Sequence, residues 1–292
     1  MNQQVSASHK KGKDLMGNYG VDAEQSRKAV TLHDLKSRRA SGNRIAMLTA
    51  YDASFAQLLD DCGVDVLLIG DSLGMVIQGH DSTLPVSVDE MVYHTQCVAR
   101  VKPKAWVIAD MPFGSYQESP EQAYANAAAL ISAGAQMVKI EGGAWLAPTV
   151  EFLTTRGISV CAHLGLTPQS VHSLGGYRVQ GRGVAQADQL IADAKQLEAS
   201  GADMVLVELI PTPLGARLTE TLCVPTIGIG AGPHMTGQVL VLHDILDVSA
   251  GKKARFVKNY LQGTGSIREA ITQFVAEVKS GAYPKPEHGF DS

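Results

Sequence analysis

The sequence predicts a (β/α)8 barrel, because strand-like and helix-like segments alternate along most of its 292 residues. Runs of Val, Ile and Leu are typical of strands buried in a parallel sheet. Eight segments qualify: Ile45–Ala50, Val66–Ile69, Trp106–Ala109, Met137–Ile140, Ser159–His163, Met204–Val207, Thr226–Gly230 and Val239–Asp244. A doubly wound sheet is the alternative, but it needs a switch point and usually has fewer strands at this length.

Helix signals lie between several of these strands. Ser119, Pro120 and Gln122 predict an N-cap, a proline at the first helical position and a capping box. This helix should end near Gly134, and a second helix should end at Gly201. Both glycines begin the pattern Gly-Ala-x-Met-Val-x-x-Glu, which predicts a helix end, a tight turn and a buried strand that finishes in an acid.

Composition excludes several classes of protein. The net charge is −4 and no basic stripe appears, so we expect no nucleic-acid partner. No apolar run approaches the roughly 20 residues that span a bilayer, so we expect no membrane segment. The four cysteines lack C-x-x-C spacing, which predicts reduced thiols and a cytoplasmic protein.

The chain divides into two parts by composition. Residues 1–30 are polar and without periodicity, and we expect a disordered N-terminal extension. Residues 31–292 should form one catalytic barrel domain, with an irregular tail from Ala282 to Ser292.

Four of the apolar runs end in a carboxylate, namely Asp71, Asp110, Glu141 and Glu208. A carboxylate does not belong in such a run unless it is paired or holds a metal. The carboxyl ends of parallel strands meet at the face of the barrel where ligands bind. The sequence therefore predicts one acidic pocket at this face.

Asp71, Asp110 and Glu141 are the candidate metal ligands, because hard oxygen ligands suit Mg²⁺. The structural alternative for each is a helix N-cap or a salt-bridge partner. Lys139 lies two residues before Glu141, so both side chains should face the barrel interior. A lysine there predicts a counter-charge for a substrate carboxylate; the alternatives are a Schiff-base nucleophile or a lysine paired only with the neighbouring acids.

Glu208 ends an apolar strand and precedes Leu209-Ile210-Pro211, and these apolar surroundings predict a general base. A further metal ligand or a buried hydrogen-bonding acid is the alternative. His163 also ends a strand and is a candidate for orienting substrate, or for a structural role. The long Gly-rich segment Leu164–Gly183 predicts a lid, with a disordered insertion as the alternative.

GIGAG at Gly228–Gly232 does not match a dinucleotide fingerprint, because the third glycine position is Pro233. We interpret it as a close backbone approach to a ligand or an anion.

Several of these motifs resemble the 3-methyl-2-oxobutanoate hydroxymethyltransferase family, also called ketopantoate hydroxymethyltransferase. The likeness runs from about Thr31 to about His288, and GDSLGM followed by GHDSTLPV is its most specific part. The matching segments are Thr49–Ala56, Gly70–Val86, Ala109–Tyr116, Met137–Gly143, Ala162–Val171, Gly175–Gly183 and Ile227–Gly232.

The resemblance implies a (β/α)8 barrel that assembles into homo-oligomers, commonly decamers. It implies transfer of a one-carbon unit from 5,10-methylenetetrahydrofolate to 3-methyl-2-oxobutanoate, giving 2-dehydropantoate on the route to coenzyme A. The family's Mg²⁺ site matches Asp71, Asp110 and Glu141, and its catalytic base matches Glu208. Its keto-acid contacts match Asp71 with Ser72, Asp110 and Lys139.

Three other functions compete with this one. The first is a Schiff-base aldolase that works through Lys139. The second is a Mg²⁺-dependent lyase or mutase of the phosphoenolpyruvate-using barrels, which would not need folate. The third is a barrel that binds metal and keto acid without turnover.

Overall fold

The computed structural model describes residues 27–249, 251 and 253–291, and they form a closed barrel of parallel strands in the order β1 to β8. The strands are β1 Ile45–Thr49, β2 Val66–Ile69, β3 Trp106–Asp110, β4 Met137–Glu141, β5 Val160–Gly165, β6 Met204–Glu208, β7 Thr226–Ile229 and β8 Gly237–Leu240. The helices are α1 Leu32–Ser41, α2 Ala53–Asp61, α3 Leu73–Val76, α4 Val88–Ala99, α5 Pro120–Ser132, α6 Ala147–Thr154, α7 Val184–Ala199, α8 Thr212–Thr221, α9 Leu242–Ile245 and α10 Ile267–Ser280. The predicted (β/α)8 fold is therefore confirmed.

The eighth strand differs most from its prediction. It begins at Gly237 rather than Val239, and Leu242–Ile245 form α9 instead of continuing the strand. Gly237 pairs with both Ile45 of β1 and Ile227 of β7, so it lies where the barrel closes. A side chain there would meet the carbonyl oxygen of Ile45 at 2.5 Å, which explains why the strand starts with glycine rather than with an apolar residue.

The helix signals of the sequence have local counterparts. Ser119 caps α5 by accepting a hydrogen bond from Gln122 N at 3.1 Å, and Pro120 is the first helical residue. The reciprocal half of the expected capping box is absent from this helix start, because Gln122 Oε1 accepts from the backbone of Glu118 at 3.3 Å. Gly134 has a φ of 116°, a conformation that glycine adopts without strain as the helix ends.

The barrel interior is apolar along most of its length and becomes polar at the carboxyl ends of the strands. Met137 and Ile108 belong to the buried cluster inside the barrel. Side chains on a strand alternate between faces, so Lys139 and Glu141 point inward with Met137, and Asp110 with Ile108. The acids thus replace apolar residues only in the uppermost inward-facing positions, at the carboxyl ends of the strands.

The chain ends of the described region pack against the barrel. Val30 N donates to Lys104 O at 2.7 Å and Arg27 Nη2 to Val64 O at 2.6 Å; the rest of the predicted extension, residues 1–26, lies outside the described residues. At the other end, Phe290 O accepts from Thr212 N at 2.9 Å, so the expected irregular tail is held in place.

None of the helices in the described part of the chain has the length and apolar character that a bilayer crossing needs.

Candidate active site

The mouth of the barrel gathers the predicted charged side chains from five consecutive strands. Five of them are almost fully buried, and Glu208 is slightly exposed. They are Asp71 after β2, Asp110 on β3, Lys139 and Glu141 on β4, His163 on β5 and Glu208 on β6.

Lys139 lies at the centre of this group. Its Nζ atom is 3.1 Å from Asp110 Oδ1, 3.4 Å from Glu141 Oε1 and 3.2 Å from His163 Nδ1. Burial alone would lower the pKa of Lys139, but the charges of Asp110, Glu141 and Asp71 raise it well above the ordinary value. The ammonium group therefore stays charged, which disfavours a Schiff-base role because that role needs the neutral amine.

Asp71 and Asp110 lie close together with too little positive charge to balance them. Asp71 N donates to Asp110 Oδ2 at 3.0 Å. Burial first, then the charges of Asp110 and Glu141, raise the pKa of Asp71 well above its usual range. Asp110 Oδ1 is buried and lacks a hydrogen bond of good geometry, although Lys139 Nζ is near it. Such a pair of hard oxygen ligands fits a divalent cation.

Glu141 is already engaged by protein donors. Its Oε1 atom is 3.2 Å from His163 Nδ1, and its Oε2 atom accepts from Gln169 N at 3.0 Å. Burial would raise the pKa of Glu141, but the charge of Lys139 and the contact with His163 lower it to about 2. Glu141 is consequently an anion that holds its neighbours in place.

Within the residues that the structure describes, no three His, Cys, Asp or Glu side chains form an enclosure for a metal ion. The fit for a metal therefore rests on Asp71 and Asp110. Mg²⁺ accepts this arrangement, because it commonly takes one or two carboxylates and fills its other positions with water and substrate oxygens.

Glu208 faces His163 rather than the purely apolar surroundings expected from the sequence. The Nε2 atom of His163 is 3.3 Å from Glu208 Oε2, at an angle outside that of a full hydrogen bond, and the Glu208 side chain is 15% exposed. Burial and the charge of Lys139 act to lower the pKa of His163, but Glu141 and Glu208 raise it overall. His163 thus links the base candidate to the centre of the site.

The chain turns sharply after Glu208. Leu209 has a φ of 45°, in the left-handed region that a branched residue rarely adopts. Leu209 N donates to Ile229 O at 2.9 Å, and Leu209 O accepts from Gln180 N at 2.8 Å. These bonds hold the strained turn and so fix the place where Glu208 enters the mouth.

Ser72, which only the family resemblance had indicated, lies next to Asp71 at the start of α3. Its hydroxyl is 2.9 Å from the hydroxyl of Tyr51. Tyr51 itself is fully buried, and burial raises its pKa, so it acts as a neutral hydrogen-bonding partner. Ser72 therefore has a fixed position beside the acids.

Gln169, which no sequence pattern revealed, ties the acids to the loop after β5. Its Nε2 atom donates to Asp71 Oδ2 and to Met111 O, each at 2.9 Å. Its Oε1 atom accepts from the hydroxyl of Tyr116 at 2.6 Å. Gln169 is buried although it lies in a single 3-10 turn, Pro168–Ser170, which is too short to show a periodic pattern.

Replacing Gln169 by alanine should lower the free energy of unfolding by about 1–3 kcal/mol, because buried groups on Asp71, Met111 and Tyr116 would lose their partner. Urea unfolding followed by circular dichroism measures this change. Gln57→Ala, on the exposed face of α2, is the matched control and should change little. Equal stability of the two variants would contradict the structural role of Gln169.

The segment Leu164–Gly183 crosses the mouth, as a lid would, since Gln169 bonds to Asp71 and Tyr177 contacts Met75.

Two glycines of GIGAG lie close to protein side chains. A side chain at Gly228 would meet Met235 Cγ at 2.6 Å, and one at Gly232 would meet Thr212 Cγ2 at 2.6 Å. These glycines make room for neighbouring protein side chains, and the interpretation of the motif as a ligand contact stays a prediction.

Comparison with known sequences gives close relatives over nearly the whole chain. A sequence model described as ketopantoate hydroxymethyltransferase matches residues 29–286. The 3-methyl-2-oxobutanoate hydroxymethyltransferase of Burkholderia multivorans is 57% identical over 267 residues, which cover 91% of this chain and 98% of that protein. The enzyme of the same name from Dechloromonas aromatica is 57% identical over 272 residues, covering 93% of this chain and 100% of that protein.

Solved structures of lower identity share the fold. A putative phosphonomutase from Burkholderia cenocepacia superposes with a TM-score of 0.60 at 18% identity, covering 74% of this chain and 94% of that one. A phosphonopyruvate hydrolase, in a complex with oxalate and Mg²⁺, gives a TM-score of 0.55 at 14% identity, covering 89% of this chain and 93% of that one. At these identities the likeness concerns the barrel alone.

Proposed function

This chain belongs to the ketopantoate hydroxymethyltransferase family, and from that premise we propose that it transfers a hydroxymethyl unit to 3-methyl-2-oxobutanoate. The product is 2-dehydropantoate, an intermediate on the route to coenzyme A, and the donor is 5,10-methylenetetrahydrofolate. The observation that carries the proposal is the charged Lys139 between Asp110 and Glu141, beside a pair of carboxylates that suits a divalent cation.

Asp71 and Asp110 would hold the metal in this proposal, and Glu141, whose oxygens already contact protein donors, would add negative charge beside it. Bound Mg²⁺ supplies Lewis acidity, which favours negative charge on the keto oxygen of the substrate. Ser72 follows Asp71 directly, and its hydroxyl, held by Tyr51, would donate a hydrogen bond to the carboxylate of the keto acid.

Lys139 provides the positive charge for the substrate carboxylate. Its ammonium group cannot leave the site, because the side chain is buried and held between Asp110 and Glu141. Burying a charged lysine costs free energy unless neighbouring groups of opposite charge hold it in place. Lys139 therefore orients the keto acid without forming a bond to it.

Glu208 removes the C3 proton of the keto acid. It is the one acid of the group that is partly exposed, and it lies on the opposite side of His163 from Glu141. His163 acts as a positioning residue, since its two nitrogens contact Glu141 and Glu208. Water releases the one-carbon unit from the two nitrogens of the donor as formaldehyde, which leaves tetrahydrofolate. The enolate carbon C3 then attacks the formaldehyde carbon, and the new alkoxide takes up the proton that Glu208 removed, which gives the hydroxymethyl group.

Cytoplasmic location and assembly into a homo-oligomer, commonly a decamer in this family, are parts of the same proposal. The family resemblance supports the assembly. The location is supported by the four cysteines of the described chain, which are all free.

Proton exchange tests the proposed chemistry directly. The enzyme is incubated with 3-methyl-2-oxobutanoate and Mg²⁺ in D₂O without folate, and proton NMR follows the C3 hydrogen. We expect the signal to disappear with enzyme and to persist when EDTA is added, because proton removal needs the base and the metal together.

Exchange that continues in EDTA would contradict the metal-assisted step. If no exchange occurs, tetrahydrofolate is added to the same tube. Exchange that then begins would show that the pterin must bind first, whereas continued absence would contradict the proposed substrate. A lyase or mutase would instead cleave or rearrange a keto acid without folate, and the same spectra would reveal new products.

A further inference from the structure

A group of aromatic and charged side chains lies on the loop after β5, outside the acid cluster. Tyr177, Arg178, Val179 and Arg182 line a cavity of about 400 Å³. Both arginines are exposed. In the part of the chain that the structure describes, neither guanidinium lies within salt-bridge distance of a carboxylate. Two free cations are thus available to a ligand.

This cavity is next to the mouth of the barrel. The hydroxyl of Tyr177 donates to Met75 Sδ at 3.6 Å, and Met75 belongs to the short helix that follows Asp71. On the other side, Gln180 N is bonded to the carbonyl of Leu209, the residue after the proposed base. The loop therefore spans the mouth from the β6 side to the β2 side, and a ligand in the cavity can reach the site.

The loop is held in a defined shape near the second arginine. Gly181 has a φ of 73°, and a side chain there would meet Leu214 Cδ2 at 2.5 Å and Leu190 Cδ1 at 2.8 Å. The backbone beside Arg182 is therefore packed against α7 and α8. A loop that already has its bound shape loses less conformational entropy when a ligand binds.

The distribution of charges favours binding of an anionic ligand at the cavity beside Arg178 and Arg182. It disfavours such binding among the carboxylates of the barrel mouth. Inside the mouth, the four carboxylates Asp71, Asp110, Glu141 and Glu208 carry more charge than Lys139 and a bound divalent cation together. A ligand with further carboxylates would be repelled there unless other cations neutralised it. Arginine binds carboxylates in two parallel hydrogen bonds, and a tyrosine ring offers a flat apolar face to an aromatic ring.

We propose that this cavity binds the anionic end of the one-carbon donor, with Arg178 and Arg182 on the glutamate carboxylates of the folate and Tyr177 against its benzoyl ring. This inference rests on the proposed function, because it assumes a folate donor. The loop then has a specificity role: it selects a donor that combines aromatic rings with carboxylates.

Two donors and three variants test the proposal. Arg178→Ala and Arg182→Ala are assayed with 5,10-methylenetetrahydrofolate and with the methyl ester of 5,10-methylenetetrahydropteroate, a pteroate donor that has neither the glutamate nor a free carboxylate. Arg156→Ala is the control, since it removes the same charge at an exposed position after α6, at the opposite end of the barrel. With the folate donor, we expect each loop variant to show a KM that is higher on the order of tenfold. With the pteroate donor, we expect little change.

C3 exchange without any folate should be unaffected in all three variants. A loop variant whose KM for folate matches that of Arg156→Ala would overturn the proposal, and so would an equal rise for both donors. If the unaltered enzyme exchanges C3 but uses neither donor, the folate part of the proposed function fails instead. These outcomes are distinguishable, because only the last one is seen without any substitution.

Discussion

Glu208→Gln should abolish most of the activity while the keto acid still binds. The substitution keeps the size of the side chain and its contact with His163, but an amide cannot accept the C3 proton. The rate should fall on the order of 10²–10⁴-fold, which is the usual contribution of a general base. Steady-state kinetics should show this loss in kcat, whereas the KM for the keto acid should change little.

Deuterium exchange at C3 gives the second measurement on the same variant. It should be lost together with turnover, because both require removal of the same proton. Glu220→Gln, on the exposed surface of α8, is the matched control and should retain both activities. A Glu208→Gln variant of near-normal rate would remove Glu208 from this role. One that exchanges C3 normally but does not turn over would place it in a later step.

The acids could be predicted from the sequence because a barrel strand has a strict side-chain period. Once Met137–Glu141 is recognised as a buried strand, Lys139 and Glu141 must share a face with Met137. Asp110 faces inward with Ile108 for the same reason. The carboxyl ends of parallel strands lie at the same end of the barrel. Local patterns were therefore sufficient to predict that acids far apart in the sequence lie close together.

Other features depend on contacts that leave no local pattern. Gln169 reaches Asp71 and Met111 from a single 3-10 turn of the loop, so only the folded loop shows that it is buried. The start of β8 was hidden for a related reason. Gly237 is there because Ile45 approaches it closely, whereas the apolar run that follows continues past the strand into α9.

Asp110→Asn should weaken metal binding and keto-acid binding together. Asp110 is one of the two carboxylates that fit the cation, and it also neutralises Lys139 at 3.1 Å. An asparagine oxygen can still accept the hydrogen bond from Asp71 N, so the backbone contact is preserved. The change therefore removes charge with little change of shape. Lys139 then keeps Glu141 as its nearest acid, at 3.4 Å.

The concentration of Mg²⁺ that gives half-maximal activity should rise by about 100-fold or more. Loss of an outer contact already costs about 10- to 100-fold in metal affinity, and a direct ligand costs at least the upper end of that range. Titration calorimetry with Mg²⁺ measures the effect in the presence and absence of keto acid. Asp188→Asn, from an exposed pair with Arg217, is the control and should titrate normally.

Misfolding would imitate this result, so urea unfolding in EDTA must accompany the titration. The expected outcome is a folded variant with weak metal binding, because the isosteric amide leaves the packing of β3 intact. An unchanged Mg²⁺ titration would exclude Asp110 as a ligand and leave it only as the partner of Lys139. In that case the keto acid should still bind less tightly. Without the charge of Asp110, the ammonium group of Lys139 would move towards the remaining acids and away from the substrate carboxylate. The two roles of Asp110 are therefore separable, because metal affinity reports on the first and keto-acid affinity without metal reports on the second.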